Sequence, residues 1–219
     1  MLNPSGWAFA IWAPIYLGET AFVASQLLAP AGSALANVLP QITAPFVAFN
    51  LAQSLWCASF RPSYHEGWHK WISVAMLGGT AYSLSFIHSV ALSNPELAWW
   101  YFLPMTMHFG WTTAATLVNL NRSFAMQTSV NNTAIVGLGH ASAVAASALG
   151  VALGLNSTAY GLTVAWALAA CSDGMAKRLN ETPAPQNQDE TLITGARVQR
   201  ALCAVGSIAC IGASVIALL

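Results

Sequence analysis

The chain has 219 residues, of which 56% are hydrophobic and only 6% are charged, and its seven basic residues balance its seven acidic residues. Soluble domains carry about 25% charged residues, so this composition excludes an ordinary water-soluble fold. A net charge of zero provides no basic surface for nucleic acid, and the expected partner of the chain is a lipid bilayer.

Long apolar segments follow one another along the chain, each close to the length of about 20 residues that spans a bilayer. There are seven such segments, and short connections with turn residues separate them. The segments are residues 7–29, 42–60, 69–92, 98–121, 133–154, 158–176 and 198–219. The polar stretch 179–197 is predicted to be a loop before the last helix. The pattern predicts an all-α polytopic membrane helical bundle of about seven transmembrane helices (five to seven), forming one domain over residues 1–219.

The basic residues are distributed asymmetrically among the connections. They all lie in or beside the second, fourth and sixth connections: Arg61, Lys70, Arg122, Lys177, Arg178, Arg197 and Arg200. Because basic loops remain on the cytoplasmic side of a membrane, the N-terminus is predicted on that side, or on the stromal or matrix side in an organelle. The expected location is a bacterial inner membrane or an organellar membrane such as that of a plastid.

Two helical faces combine aromatic and polar side chains inside predicted spans, where polar groups are costly and point to function by default. The face in the first segment consists of Phe9, Trp12, Tyr16 and Glu19. The face in the fourth segment consists of Pro104, His108, Trp111, Ala115 and Asn119. Two such faces would enclose a pocket with apolar walls and few polar anchors, which is typical of a site for a flat hydrophobic ligand.

Each of these residues also has a purely structural interpretation. The tryptophans within the spans could be ordinary core residues, and Glu19 could be a protonated carboxyl bonded to a neighbouring helix. His108, and His140 in the fifth segment, could ligate the metal of a tetrapyrrole or could be hydrogen-bonded packing histidines. No metal site built from protein side chains alone is expected.

Three stretches of sequence resemble the tryptophan-rich sensory protein family, the TspO/translocator group. They are Pro4-x-x-Trp7-x-Phe9-x-Ile11-Trp12-x-x-Ile15-Tyr16, Asn50…Trp56-x-x-x-Phe60 and Leu103-Pro104…Trp111-x-x-x-Ala115-x-x-x-Asn119. The resemblance implies a membrane protein that binds porphyrins or other flat hydrophobic molecules within a helical bundle. By position it assigns Trp12, Trp56, Trp111, Ala115 and Asn119 to the pocket. A typical member has five helices, so this chain resembles a longer, divergent branch.

Two functions from different classes fit these patterns. The first is a sensor or carrier that binds a porphyrin, another tetrapyrrole or a lipid, at Trp12, Tyr16, Glu19, Trp56, His108, Trp111, Ala115 and Asn119. The second is a structural or pigment-associated subunit of a larger photosynthetic or respiratory membrane complex, or a homo-oligomer, docked through faces of small residues in the fifth and seventh segments.

The sequence makes no cofactor certain, and porphyrin, haem and chlorophyll are the candidates. An enzyme is not expected, because the sequence has no Walker, GxSxG or HExxH motif and no acid–base pair with suitable spacing. A porphyrin-modifying activity is therefore the least favoured interpretation.

Overall fold

The structure is a computed structural model that describes residues 2–59, 61–64, 66–97, 101–181 and 189–219. These ranges contain α-helices and no β-strand. The helices are α1 (Trp12–Leu28), α2 (Ala34–Ala58), α3 (Ile72–Ser93), α4 (Pro95–Leu97), α5 (Leu103–Ala125), α6 (Asn132–Gly154), α7 (Thr158–Glu181) and α8 (Glu190–Ile216). All but the single turn of α4 are long, and 3-10 turns precede α1 and α3.

Five of the described helical segments are long and apolar enough to cross a membrane, judged by length and composition. They are Gly6–Leu28, Ala34–Ala58, Gly67–Ser93, Asn132–Gly154 and Glu190–Ile216. The remaining long helices, α5 with 23 residues and α7 with 24, have the length of a span but are less apolar on average. The predicted all-α polytopic membrane bundle is confirmed.

Helix α2 begins about two turns before the predicted start at residue 42. The side chain of Ser33 accepts a hydrogen bond from the Ala36 amide at 3.2 Å and caps the helix. The helix then continues through Pro40, which lies before the predicted start, and through Pro45, which the predicted segment 42–60 already included. Proline is tolerated inside membrane helices, because neighbouring helices and local adjustments satisfy the freed backbone groups.

Both ends of the predicted polar loop 179–197 are helical. Helix α7 continues to Glu181 and α8 already begins at Glu190, while residues 182–188 lie outside the described residues. The Asp189 side chain accepts a hydrogen bond from the Thr191 amide at 2.9 Å, and this cap explains why α8 begins about two turns before the predicted start at residue 198.

The chain divides into two compact units. The first unit is Phe9–Thr113, and the second combines Met1–Ala8 with Ala114–Leu219. In the first unit α2 packs against α3, and Gly18 of α1 lies so close to the Pro104 ring that a Cβ at this glycine would be 2.6 Å from the Pro104 Cβ. The single domain over residues 1–219 stays a prediction.

In the second unit α8 packs against α6 and α7 through small residues. The predicted small-residue face of α6 is buried at Ser142, Ala146, Gly150 and Gly154. The corresponding face of α8 is buried at Gly206, Cys210 and Ser214. Small side chains let helix backbones approach closely, and here both faces pack within the chain itself.

Candidate functional site

Aromatic side chains from α1, α2 and α5 surround one buried histidine in the first unit. The Trp12 ring stacks on Tyr16, with centroids 4.9 Å apart and planes 9° from parallel. It meets the rings of His108 at 5.2 Å and Trp111 at 6.0 Å edge to face, and Trp56 at 6.5 Å. The structure therefore brings together five of the predicted site residues.

Two further rings complete this group. Phe9 contacts Trp111 at 5.7 Å, and Phe49 of α2 contacts His108 at 5.2 Å. We call the set the aromatic cluster: Phe9, Trp12, Tyr16, Phe49, Trp56, His108 and Trp111. Helical spacing explains it, because the cluster residues of each helix are three, four or seven positions apart and so share a face.

His108 is held by Glu19. Its Nδ1 lies 2.7 Å from Glu19 Oε1, and the two residues are 1% and 7% exposed. The other ring nitrogen, Nε2, is buried and has no hydrogen-bond partner among the described residues. With the proton on Nδ1 donated to Glu19, Nε2 carries a lone pair within the aromatic cluster. A carboxylate on one nitrogen and an open second nitrogen is the usual arrangement of a metal-ligating histidine.

Gln53 is the site residue that the sequence interpretation missed. It is 6% exposed, and neither its Oε1 nor its Nε2 has a hydrogen-bond partner in the described part of the chain. It lies one turn after Phe49 and one turn before Trp56, so it shares their face of α2, close to the Tyr16 phenol. The Tyr16 phenol is thus the polar neighbour of an amide whose hydrogen-bonding capacity is mostly unused, which makes Gln53 a candidate ligand anchor.

The cluster has an exposed and a buried side. Tyr16 is 45% exposed, whereas Trp56 and Trp111 are 9% and 4% exposed. The stack of Trp12 on Tyr16 therefore lies towards the protein surface, and His108 with Trp111 lies towards the interior.

A row of contacting rings links the cluster to a cavity elsewhere in the first unit. The cavity has a volume of about 450 Å³ and lies at the α1–α2 connection, where Pro30, Leu97 and Tyr101 belong to its lining. Tyr101 contacts Phe22 at 6.3 Å, and Phe22 contacts Phe46 at 5.6 Å. Phe46 in turn contacts Phe49 of the cluster at 5.0 Å.

The other predicted site residues belong to the second unit. Ala115 and Asn119 lie on α5, where the Asn119 Nδ2 donates to the Ala115 carbonyl at 3.0 Å. His140 of α6 donates from Nε2 to the Gly195 carbonyl oxygen at 3.0 Å. That bond ties α6 to α8 and leaves Nδ1 as the other ring nitrogen, so the role of His140 as a tetrapyrrole ligand stays a prediction. The aromatic cluster is complete without these three residues.

Comparison with known proteins identifies one family. A family model described as TSPO-like protein matches residues 1–196, from the N-terminal segment into the second turn of α8. No curated protein and no solved structure matches the chain significantly. The family match and the apolar helices together identify an integral membrane protein.

Proposed function

The chain belongs to the TSPO-like protein family, and we propose that it binds a flat hydrophobic molecule, a porphyrin or another tetrapyrrole, at the aromatic cluster as a sensor or carrier. The observation that carries this proposal is His108, a buried imidazole fixed by Glu19 whose Nε2 is unpartnered among the described residues and surrounded by aromatic rings. The TSPO-like family is generally non-enzymatic, and the proposed role requires no catalysis.

The chemistry of the site suits a flat ligand. Indole and phenol rings provide large apolar faces for stacking, and each aromatic pair contributes about 0.5–1.5 kcal/mol beyond its buried area. Polar groups are few, as in most ligand sites. The amide of Gln53 offers one donor and one acceptor side by side, which matches a ligand with a carboxylic acid or amide at its edge.

The residues also fit a tetrapyrrole that carries a metal. His108 Nε2 would hold the metal, and Glu19 would fix the ring orientation and increase the basicity of the imidazole. When bound, such a group supplies strong visible absorption. The chain itself supplies one nitrogen ligand, apolar walls and the exclusion of water.

Titration of the purified full-length protein with protoporphyrin IX, followed by the porphyrin absorption band, tests the stacking site. We expect Trp12→Phe and Trp111→Phe to weaken binding about twofold to tenfold, because each removes part of a stacking surface. Trp166→Phe is the matched control, since Trp166 contacts Trp7 in the second unit at 4.7 Å. If Trp12→Phe and Trp111→Phe bound protoporphyrin IX as tightly as Trp166→Phe does, the aromatic cluster would not be the binding site.

Haem titration separates the metal ligand from the stacking site. We expect His108→Ala to lose the shift of the haem absorption band that accompanies imidazole ligation, while it retains part of its affinity for metal-free protoporphyrin IX. A band shift of wild-type size in His108→Ala would reject His108 as the ligand and leave the stacking site in place.

The alternative function is a subunit of a larger photosynthetic or respiratory complex. Its support is the small soluble mass of the chain, the histidines within the spans and the small-residue faces of α6 and α8, and of these the small-residue faces are buried within the chain. The alternative stays a prediction, and native gel electrophoresis of the source membrane tests it. Co-migration with a large pigmented assembly would support a subunit, and a small colourless species would favour the sensor or carrier.

A further inference from the structure

A groove with a volume of about 350 Å³ runs between α7 and α8 in the second unit. Ala169, Ser172 and Ala176 of α7 line one wall, and Arg200, Ala204 and Ile208 of α8 line the other. The lining residues recur every three or four positions, so each wall is one face of a helix. The alanines create the groove, because larger side chains at these positions would fill it.

The acidic residue of the groove is engaged through one of its two carboxylate oxygens. Asp173 Oδ2 accepts hydrogen bonds from the Ser5 hydroxyl at 2.6 Å and the Trp7 indole at 2.8 Å. It also forms a salt bridge with Lys177 at 2.8 Å. The negative charge of Asp173 is therefore balanced by Lys177 and solvated by two donors from the N-terminal segment.

Arg200 leaves an unbalanced positive charge in the groove. Its backbone carbonyl accepts a hydrogen bond from the Ser172 hydroxyl at 3.1 Å, which ties α7 to α8 at this level. Its guanidinium forms no salt bridge with any carboxylate in the described part of the chain. Guanidinium groups bind phosphate through two parallel hydrogen bonds, so this end of the groove suits an anionic phosphate.

The groove becomes apolar away from Arg200. Ile208 is 69% exposed and lies eight positions further along α8, which is about 12 Å in a helix. Arg200 lies in the third turn of a segment that is long and apolar enough to span a membrane, Ala204 lies near the middle of that segment, and Ile208 lies about one turn beyond Ala204. The groove thus has a cationic end towards the helix terminus and an apolar end towards the membrane centre.

We propose that this groove binds an anionic phospholipid, with its phosphate at Arg200 and an acyl chain along Ala204 and Ile208. The order of charge and apolar surface along the groove matches the order of headgroup and acyl chain in a lipid. The proposal concerns the second unit only, and it does not depend on ligand binding at the aromatic cluster.

Native mass spectrometry of the full-length protein tests the headgroup contact, with phosphatidylglycerol and phosphatidylcholine of identical acyl chains as probes. We expect wild type to retain phosphatidylglycerol preferentially, and Arg200→Gln to lower that retention at least about fivefold. Arg197→Gln is the matched control, because Arg197 carries the same charge one turn earlier on α8 and does not line the groove. Equal losses in both variants would overturn the proposal in favour of general electrostatic attraction.

A second variant tests the acyl chain and keeps the test valid if Arg200→Gln does not fold. Ala204→Leu fills the groove without changing charge, and we expect it to lose phosphatidylglycerol as Arg200→Gln does. Inorganic phosphate serves as the competing probe. Displacement of the lipid by millimolar phosphate, with unchanged retention in Ala204→Leu, would identify a free-anion site and overturn the lipid assignment.

Discussion

Glu19 and His108 hold two titratable groups in contact inside the first unit, where both are almost completely buried. Removing Glu19 leaves the Nδ1–H of His108 buried without an acceptor, at a cost of about 1–3 kcal/mol. We therefore expect Glu19→Ala to lower the free energy of unfolding by about that amount in detergent, measured by chemical or thermal unfolding. Glu19→Gln, which can still hydrogen-bond, should lose less.

Glu96→Ala is the matched control for the Glu19 substitution, because Glu96 is exposed on α4. It should leave the unfolding transition almost unchanged. If Glu19→Ala unfolds at the same point as Glu96→Ala, the carboxyl contributes nothing to His108 and the argument for a fixed imidazole fails.

Replacing Gln53 is expected to change stability and ligand binding in opposite directions. Since the Gln53 amide makes no well-formed hydrogen bond within the described residues beyond its approach to the Tyr16 phenol, Gln53→Leu removes a poorly satisfied group and should stabilise the ligand-free protein by up to about 1–3 kcal/mol. The same substitution should weaken protoporphyrin IX binding in the absorption titration. Gln41→Leu, an exposed site on the same helix, is the control and should change neither quantity.

The faces of α1 and α5 could be predicted because their aromatic and polar residues recur at helical spacing. The position of Gln53 within the site could not be predicted in this way. Helix α2 has no marked apolar face, so its rotation about its own axis is set by neighbouring helices rather than by its own sequence. Once Phe49 is seen against His108, the position of Gln53 one turn later follows.

At the scale of elements, the second unit depends on glycines at which backbones meet. A Cβ added to Gly161 of α7 would lie 2.9 Å from the Cα of Gly154 in α6, and backbone atoms cannot move aside cheaply. We expect Gly161→Ala to destabilise the protein by about 1–3 kcal/mol, as overpacking usually does. The unfolding midpoint in denaturant measures the effect.

Gly212→Ala provides the comparison for Gly161→Ala. Nothing lies within 4 Å of a Cβ added at Gly212 of α8, and alanine is favoured over glycine in a helix by about 0.8–1.0 kcal/mol. This variant should unfold at the same denaturant concentration as wild type or at a higher one. The assignment of Gly161 to a close approach would be wrong if both variants behaved alike.

The start of α8 should be sensitive to acid. Hydrogen bonds from the Asn132 side chain and from Thr191 lower the pKa of Asp189 below its ordinary value. Asp189 therefore binds a proton more tightly in the unfolded chain than in the folded protein. The stabilisation that its ionised carboxylate gives the fold is complete above about pH 4 and is lost as the pH falls further. We expect Asp189→Asn, which keeps a capping oxygen, to unfold with a weaker pH dependence below pH 4 than wild type.

The thermal unfolding temperature between pH 3 and pH 6 measures this effect of Asp189. If the unfolding temperature of Asp189→Asn depended on pH as steeply as that of wild type, another group would be responsible for the pH dependence. The same residue explains why the start of α8 escaped prediction: polar and apolar residues are mixed after Asp189, and a helix start among them is decided by the cap rather than by apolar periodicity.

At the scale of the whole molecule, the composition alone is sufficient to predict a helical membrane bundle, because so few charged residues cannot cover a soluble fold. The number of spans does not follow from the composition alone. Five described segments satisfy the length and composition of a span, whereas α5 and α7 do not. The hydropathy of α5 is lowered by residues such as His108 and Arg122, and that of α7 by Asp173, Lys177 and Arg178.

The position of Arg122 at the end of α5 distinguishes five spans from seven. If all seven long helices cross the membrane, the α5–α6 connection lies on the same side as the α2–α3 connection, and all seven bases share that side. If α5 and α7 do not cross, the α5–α6 connection lies on the opposite side. The positive-inside rule favours seven spans with the N-terminus on the cytoplasmic side or its organellar equivalent.

Labelling of single cysteines with a membrane-impermeant reagent measures this topology, in a background in which the exposed Cys57 is replaced by serine. We expect Ser63→Cys and Ser129→Cys, both at exposed positions, to be labelled from the same side, and Ala31→Cys in the α1–α2 connection from the other. Labelling of Ser129→Cys together with Ala31→Cys would show five spans and place Arg122 apart from the other bases. In that case the seven basic residues would not all lie on one side of the membrane, and Arg122 would not help to orient the chain.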